Sequence, residues 1–428
     1  MKRALIITYY WPPAGGPGVQ RWLKFVKYFR EFGIEPVVYV PENPNYPLLD
    51  QNFSSEIPSD IEIIKQPIME PYGFAKLFSK KKTKQISSGI ISKKDSSAIE
   101  KLMLYVRGNF FIPDARIGWV KPSVNYLSKY ISENPVDVII TTGPPHSLHL
   151  IGMQLQKELN IKWIADFRDP WTTIHYHKSL RLNKSSERKH KALEAAVLNS
   201  ADLITVTSPT TKKEFEMITD RPIEVITNGY DVSRTSSFKM DLKFSISHIG
   251  SLLSERNPQI LWKVLAEICL ENTSFKNDLL LKFAGALSEE VKQSLEDFGL
   301  IENCNFLGYV EHSEALKLQN ESIVLLLVEI NSAETRSIIP GKLFEYIAAK
   351  RPIIAIGPKQ SDIEEIIDET KTGKFFDYWN EDGLKTEILH LYEKFKSGGL
   401  IIASEGIEKY SRRELTKQMS KIILNSEF

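Results

Sequence analysis

Apolar residues in the first half of the chain fall into short runs, separated by segments in which they recur at helical spacing. The runs Arg3–Thr8, Pro36–Val40, Ile61–Ile64, Val136–Thr141, Trp163–Asp166, Leu203–Thr207 and Glu224–Ile226 predict buried strands. Between them, Gln20–Phe32 puts Trp22, Phe25, Val26 and Phe29 at i, i+3, i+4 and i+7, one face of a helix. Ser147–Leu159 and Ser185–Ser200 repeat the helical pattern. Strands that alternate with amphipathic helices predict an α/β fold, a parallel sheet flanked by helices.

The rhythm breaks at Thr227-Asn228-Gly229-Tyr230-Asp231, where Asn-Gly supplies turn chemistry, and a polar stretch, Ser233 to Lys239, follows. A hinge is expected there. A second alternation runs through Phe244–Ile249, Leu279–Ala284, Asn305–Leu307, Val324–Val328, Ile353–Ile356 and Lys374–Phe376. The expected organisation is a Rossmann-like domain over 1–230 and a second over 231–403. A closing amphipathic helix within 404–428 packs back on the first domain. One segment stands outside this scheme. Lys76 to Ser97 is rich in Lys and Ser and contains Lys80-Lys81-Lys82. It reads as a surface excursion, either a solvated loop or a basic patch for anionic lipid head groups.

Composition agrees with this picture. A chain of 428 residues suits two domains of ordinary size. Lys plus Arg (55) nearly equals Asp plus Glu (54), which argues against a dedicated nucleic-acid binder. Two cysteines, Cys269 and Cys304, form no disulfide framework and no Cys-x-x-Cys pair, and they suit a reducing compartment. The apolar run in Met-Lys-Arg-Ala-Leu-Ile-Ile-Thr is too short for a secretory leader, and Ile323–Val328 is far too short to span a bilayer. The expected location is the cytoplasm, with any membrane contact peripheral, at its inner face.

In parallel α/β sheets ligands bind at the carboxyl ends of the strands, so candidate chemistry is sought there. The first strand is followed by Tyr9-Tyr10-Trp11-Pro12-Pro13-Ala14-Gly15-Gly16-Pro17-Gly18 and then a helix. Glycines there let backbone approach a phosphate beside the positive end of a helix, although a plain glycine-rich turn would look the same. The dinucleotide fingerprint is incomplete, because Arg21 stands where its third glycine belongs. In the second half Gly250, Gly285 and Gly308 each close a strand, and Arg256 follows Gly250 within reach of the same rim. Lys342 and Glu345 lie three residues apart in the helix that Gly341 opens. A cation in a first turn is unfavourable unless an anion is bound, whereas a plain i, i+3 ion pair asks for no ligand. Asp166-Phe167-Arg168-Asp169 and Thr142-Gly143-Pro144-Pro145-His146-Ser147 end two strands of the first half. The former suits either acid–base work or a structural ion pair. Neither a His-x-x-x-His pair nor Asp-x-Asp occurs.

Taken in order, these strings resemble family 4 glycosyltransferases of the GT-B architecture over nearly the full length. The matching pieces are Gly15-Gly16, Asn228-Gly229-Tyr230-Asp231, Ile249-Gly250 through Arg256, Phe306-Leu307-Gly308-Tyr309 and Pro340-Gly341-Lys342-Leu343-Phe344-Glu345-Tyr346. Thr-Gly-Pro-Pro-His-Ser and Asp-Phe-Arg-Asp-Pro-Trp point to a subgroup within it. The resemblance implies retaining, metal-independent transfer of a hexose-type sugar from a nucleotide-diphosphate sugar in an interdomain cleft. The acceptor would be a saccharide or lipid-linked, in bacterial surface polysaccharide synthesis. No resident cofactor is expected. On this reading Arg256 neutralises the donor diphosphate and Glu345 holds the ribose. Gly15, Gly16, Gly250, Gly285 and Lys342 complete the donor site. Trp11 and His146 face the acceptor, and Asp166, Arg168 and Asp169 are the catalytic candidates. Two positions depart from the pattern. Ser337 stands where many relatives carry a second Glu, and Arg168 stands where a His is common. A sugar-nucleotide epimerase of the same architecture and a non-catalytic binding subunit remain as rival readings.

Overall fold

A computed structural model describes residues 1–70, 98–231, 238–400 and 404–425. The Lys-rich segment up to Ser97 and most of the polar stretch after Asp231 lie outside them. The chain divides into two compact units, Met1–Thr227 with Arg412–Phe428, and Asn228–Ser411. The division falls at Asn228-Gly229, and residues 404–411 go with the second unit.

The first unit is built on seven strands, β1 (Lys2–Ile7), β2 (Ile34–Pro41), β3 (Glu62–Gln66), β4 (Val138–Gly143), β5 (Lys162–Phe167), β6 (Leu203–Val206) and β7 (Ile223–Val225). All pair in parallel in the order β3-β2-β1-β4-β5-β6-β7. Successive side chains of a strand point to opposite faces, and β1 shows the consequence. Leu5 and Ile7 pack with Trp119, Val124, Leu127 and Ile151 on one side. Ala4 and Ile6 pack on the other with Trp22, Phe25 and Phe29 of the helix Pro17–Phe29. Both faces are apolar because both are covered, which is why the strands read as continuous apolar runs.

The C-terminal helix Arg412–Leu424 joins the second of these layers through Leu415, Met419 and Ile423, spaced four residues apart and almost fully buried. Burying three such side chains contributes about 1.5–3 kcal/mol each. Lys2 Nζ donates to the carbonyls of Ile423 and Leu424, and Arg413 Nε lies 2.7 Å from Glu31.

The second unit contains β8 (Phe244–Ile249), β9 (Leu279–Ala284), β10 (Cys304–Gly308), β11 (Val324–Val328), β12 (Ile353–Gly357) and β13 (Gly373–Asp377). These also pair in parallel, in the order β10-β9-β8-β11-β12-β13. Each sheet reverses its winding once, between β1 and β4 in the first unit and between β8 and β11 in the second. At such a switch point neighbouring loops diverge to opposite faces and leave a crevice at the carboxyl ends. The loops after β1 and β4 flank the crevice of the first sheet, and those after β8 and β11 the crevice of the second.

Candidate active site

Beside the switch point of the second unit, β8 is followed by Gly250 and its neighbour β9 by Gly285, with φ of 119° and 128°. Both angles lie where glycine is favoured. A Cβ on Gly285 would come within 2.5 Å of the Gly250 carbonyl oxygen, so the two turns can close on each other only with glycine at 285. Gly250 N–H donates to Ala284 O at 2.7 Å, and the Tyr346 hydroxyl donates to Ile249 O and accepts from Ile249 N–H. These bonds tie the ends of β8 and β9 to each other and to the helix that carries Tyr346.

Two cations and two acids converge on this glycine rim. Lys342 stands in the first turn of the helix Gly341–Ala349, whose N-terminus has no side-chain cap. A Cβ on Gly250 would lie 3.3 Å from Lys342 Nζ, so the ammonium is beside the glycine turn. Burial first, and the Arg256 charge second, push the Lys342 pKa down to about 7, against the pull of Glu329 and Glu345. Arg256, at the end of the short turn Ser254–Arg256, sends Nε and Nη2 to Glu329 Oε1 at 3.1 and 2.9 Å. Glu329 directly follows β11, is 1% exposed and also accepts from Ile330 N–H. Glu345, one turn along from Lys342, takes a hydrogen bond from Gln319 Nε2 at 2.9 Å and lies 3.9 Å from His312 Nε2. A helix N-terminus, a lysine and an arginine near exposed backbone would suit an anion, and a half-buried carboxylate next to them would suit a vicinal diol.

In the first unit the loop after β1 brings Gly15 and Gly16 to the start of the helix Pro17–Phe29. Gly16 is its N-cap, with φ of 95°. A Cβ on Gly18 would collide with Arg168 Nη1, so the Arg168 guanidinium lies against this helix start. Arg168 also donates to the carbonyl oxygens of Gly143 and Pro144 at the end of β4. Burial pushes its pKa down, and the charges of Asp169 and Asp166 oppose that. Asp169 is half-buried. His146 is buried, with its ring stacked on Trp171 at 4.9 Å and 2° between planes, and among the described residues neither of its ring nitrogens, both closed to solvent, has a hydrogen-bond partner. Burial and the neighbouring His149 hold it neutral.

Two expected roles in this unit are corrected. Asp166 is fully buried and accepts from Arg21 Nε and Nη2, Trp22 Nε1, Thr142 Oγ1 and Thr205 Oγ1. Burial raises its pKa and Arg21, with these donors, overcomes that and holds it ionised. With every lone pair engaged it braces β4, β5 and β6 to the first helix, and it has no capacity left for a substrate. Trp11 is 2% exposed and belongs to the apolar layer that contains Trp22 and Phe25, so its ring is core.

Other residues were not singled out by the sequence. Arg21, noted only as the residue that spoils a glycine fingerprint, is the buried partner of Asp166. Ser337 is buried, and the acid at the rim is Glu329, at the carboxyl end of β11, a position that strand-end reading reaches directly. His248, inside β8, lies under Lys342. Among the described residues no group of three or more His, Cys, Asp or Glu side chains is placed to hold a metal ion, and no helix is long and apolar enough to cross a membrane.

Two family models match in succession, Glycosyltransferase Family 4 over residues 89–234 and Glycosyl transferases group 1 over residues 243–394. No curated protein matches. Among solved structures, the lipopolysaccharide outer core galactosyltransferase WaaB is 13% identical, with 100% of both chains covered and a TM-score of 0.59. A mutant of TarM from S. aureus, in complex with Fondaparinux, alpha-GlcNAc-glycerol and UDP, is also 13% identical, with 100% of both chains covered and a TM-score of 0.58. A putative UDP-N-acetylglucosamine 2-epimerase from Listeria monocytogenes is 12% identical, covering 98% of this chain and 95% of that one, with a TM-score of 0.57. At such identities these neighbours establish the fold, two Rossmann-like domains of the GT-B type. The two successive family matches, on the strand orders and glycine rims described above, make this chain a member of the family 4 glycosyltransferases.

Proposed function

We propose that the protein transfers a hexose-type sugar from a nucleotide-diphosphate sugar to a saccharide or lipid-linked acceptor, with retention of anomeric configuration. The observation that carries this reading is Lys342 beside Gly250, with the Arg256 charge acting on that lysine and Glu345 one helical turn from it. Diphosphate oxygens would sit on the glycine rim, where Lys342 and Arg256 meet the charge that grows as the leaving group departs. Glu345 would accept from the ribose hydroxyls. Because the two cations supply that positive charge, we assign the protein a metal-independent reaction.

On the acceptor side, Arg168 adds its charge to the positive end of the helix Pro17–Phe29, beside Gly16, and Asp169 follows it in the chain. The acceptor hydroxyl oxygen attacks the anomeric carbon, the bond from that carbon to the diphosphate oxygen breaks, and the departing diphosphate takes the hydroxyl proton. No protein base is required, and Asp169 orients the hydroxyl. A role in surface polysaccharide synthesis is in line with the printed function of WaaB, a lipopolysaccharide outer core galactosyltransferase, and a cytoplasmic place at the membrane's inner face is proposed with it. An epimerase remains the second reading, because neighbours with that printed activity share the fold. Incubation with single donors separates the two. A transferase releases nucleotide faster when acceptor is added, whereas an epimerase interconverts the donor sugar without acceptor.

A further inference from the structure

How the Gly250 rim meets an anion depends on where the Lys342 ammonium is held, and that is decided from inside the sheet. His248 lies in β8, two residues before Gly250, and is 1% exposed. Its Nδ1 is 3.0 Å from Leu326 O on β11. Its Nε2 is 3.4 Å from Ser251 O and 3.0 Å from Lys342 Nζ. A carbonyl oxygen only accepts, so the shorter of the two carbonyl contacts places the imidazole proton on Nδ1. Nε2 then keeps its lone pair. An ammonium has three N–H groups and no lone pair, so it meets that nitrogen only as a donor. The opposite tautomer would point Nε2–H at the ammonium and the Nδ1 lone pair at a carbonyl oxygen, two repulsive contacts in a buried place.

We propose that His248 is a positioning residue for the donor diphosphate: as its Nδ1–H tautomer, anchored on Leu326 O, it accepts from Lys342 Nζ and holds that ammonium beside Gly250. This rests on the donor reading above. The charged groups facing Lys342 are Arg256 from the turn after β8, Glu329 from the end of β11 and Glu345 from its own helix, with His248 beneath. With Lys342 near 7, the free protein holds it partly deprotonated at neutral pH, and an arriving diphosphate draws a proton onto it. Affinity therefore falls as pH rises above about 7, toward a tenfold loss per unit for one coupled proton. A neutral acceptor under the ammonium favours its charged form, so losing that acceptor moves the fall to lower pH.

The test compares wild type, His248→Asn, His248→Gln and Lys342→Ala by calorimetry. The probe is whichever nucleoside diphosphate (ADP, GDP, UDP, CDP or dTDP) binds wild type, titrated from roughly pH 6 to pH 9 in buffers of different ionisation enthalpy. Asparagine keeps an N–H for Leu326 O but places no atom at Nε2, whereas glutamine can return an acceptor there. The expected result is proton uptake on binding to wild type above neutrality. His248→Asn should lose about tenfold in affinity at pH 8, have its pH midpoint moved down and recover at pH 6. His248→Gln should regain most of the difference. A wild-type pH profile in His248→Asn, or equal losses in both variants at every pH with the midpoint unmoved, overturns the proposal. Undiminished affinity in Lys342→Ala removes it by a different route, because the lysine would not be at the anion. Failure of every nucleoside diphosphate to bind wild type would instead overturn the donor reading, and this inference with it.

Discussion

Arg256 Nη2 lies 2.9 Å from Glu329 Oε1, a contact that joins the turn after β8 to the end of β11 across the switch point of the second sheet. The carboxylate is buried and the guanidinium about a third exposed, so the acid fixes a side chain that still reaches solvent. Removing the guanidinium should weaken a nucleoside diphosphate more than the matching nucleoside. For Arg256→Ala a loss of about 1–3 kcal/mol is expected for the diphosphate. Equal losses for both ligands in a calorimetric titration would place Arg256 away from the phosphates.

Glu345 is tested through the sugar it is expected to hold. Glu345→Ala should cost about 1–3 kcal/mol with a ribonucleoside diphosphate, the worth of charge-assisted hydrogen bonds. A 2′,3′-dideoxy analogue should bind wild type and variant alike. If the variant loses the same affinity for both ligands, the carboxylate supports Gln319 or His312 and does not touch a ribose.

Asp166 and Asp169 stand three residues apart and should behave oppositely. Asp166→Asn strips a fully buried Arg21 of its counter-charge, and breaking such a pair costs about 3–5 kcal/mol. A sharp drop in Tm, or failure to fold, is the expected result. Asp169→Asn should melt near wild type, keep its donor affinity and lose kcat, the signature of an interaction made mainly in the transition state. Wild-type kcat on the true acceptor would end the role given to Asp169.

Acid should destabilise the first unit through its buried histidines. Burial holds His146 well below its ordinary value, His149 at about 3 and His177 at about 4, and lowers His190 as well. These groups are neutral when folded and take up protons when unfolded, so the unfolded state gains as pH falls. Stability is full above the unfolded value of about 6.5 and is lost toward the folded values, by about 1.4 kcal/mol per group per pH unit. Melting curves from pH 7.5 down to pH 5 should show a falling Tm, less steep in His149→Gln. A flat profile would mean that these rings charge without opening the fold.

The strands were legible because both faces of each sheet are covered, so every central strand is a run of apolar residues. The switch points followed less directly, since strand order is a long-range property that periodicity does not carry. Gly250, Gly285, Lys342 and Glu345 were readable because glycine at a strand end and charge at a helix start are local signals. Asp166 misled for the same reason. Its neighbours Arg168 and Asp169 advertise chemistry, while its true partner, Arg21, is 145 positions away. Trp11 lay in a loop rich in Gly and Pro, and nothing local distinguishes a ring that turns inward from one that faces a ligand. Glu329 was within reach of strand-end reading, but its partner Arg256 becomes visible only once β8 and β11 are known to be neighbours.

Transfer itself is tested most directly by product analysis. The wild-type protein is incubated with single nucleotide-diphosphate sugars, with and without candidate saccharide and lipid-linked acceptors, in buffer containing a metal chelator. The account predicts that one donor releases its nucleoside diphosphate, that an acceptor accelerates the release, and that the new glycosidic bond keeps the donor's anomeric configuration. It also predicts that the chelator leaves the rate unchanged and that Lys342→Ala abolishes it. Interconversion of the donor sugar without acceptor, inversion at the anomeric carbon, or turnover that is lost in chelator and restored by magnesium or manganese would contradict it.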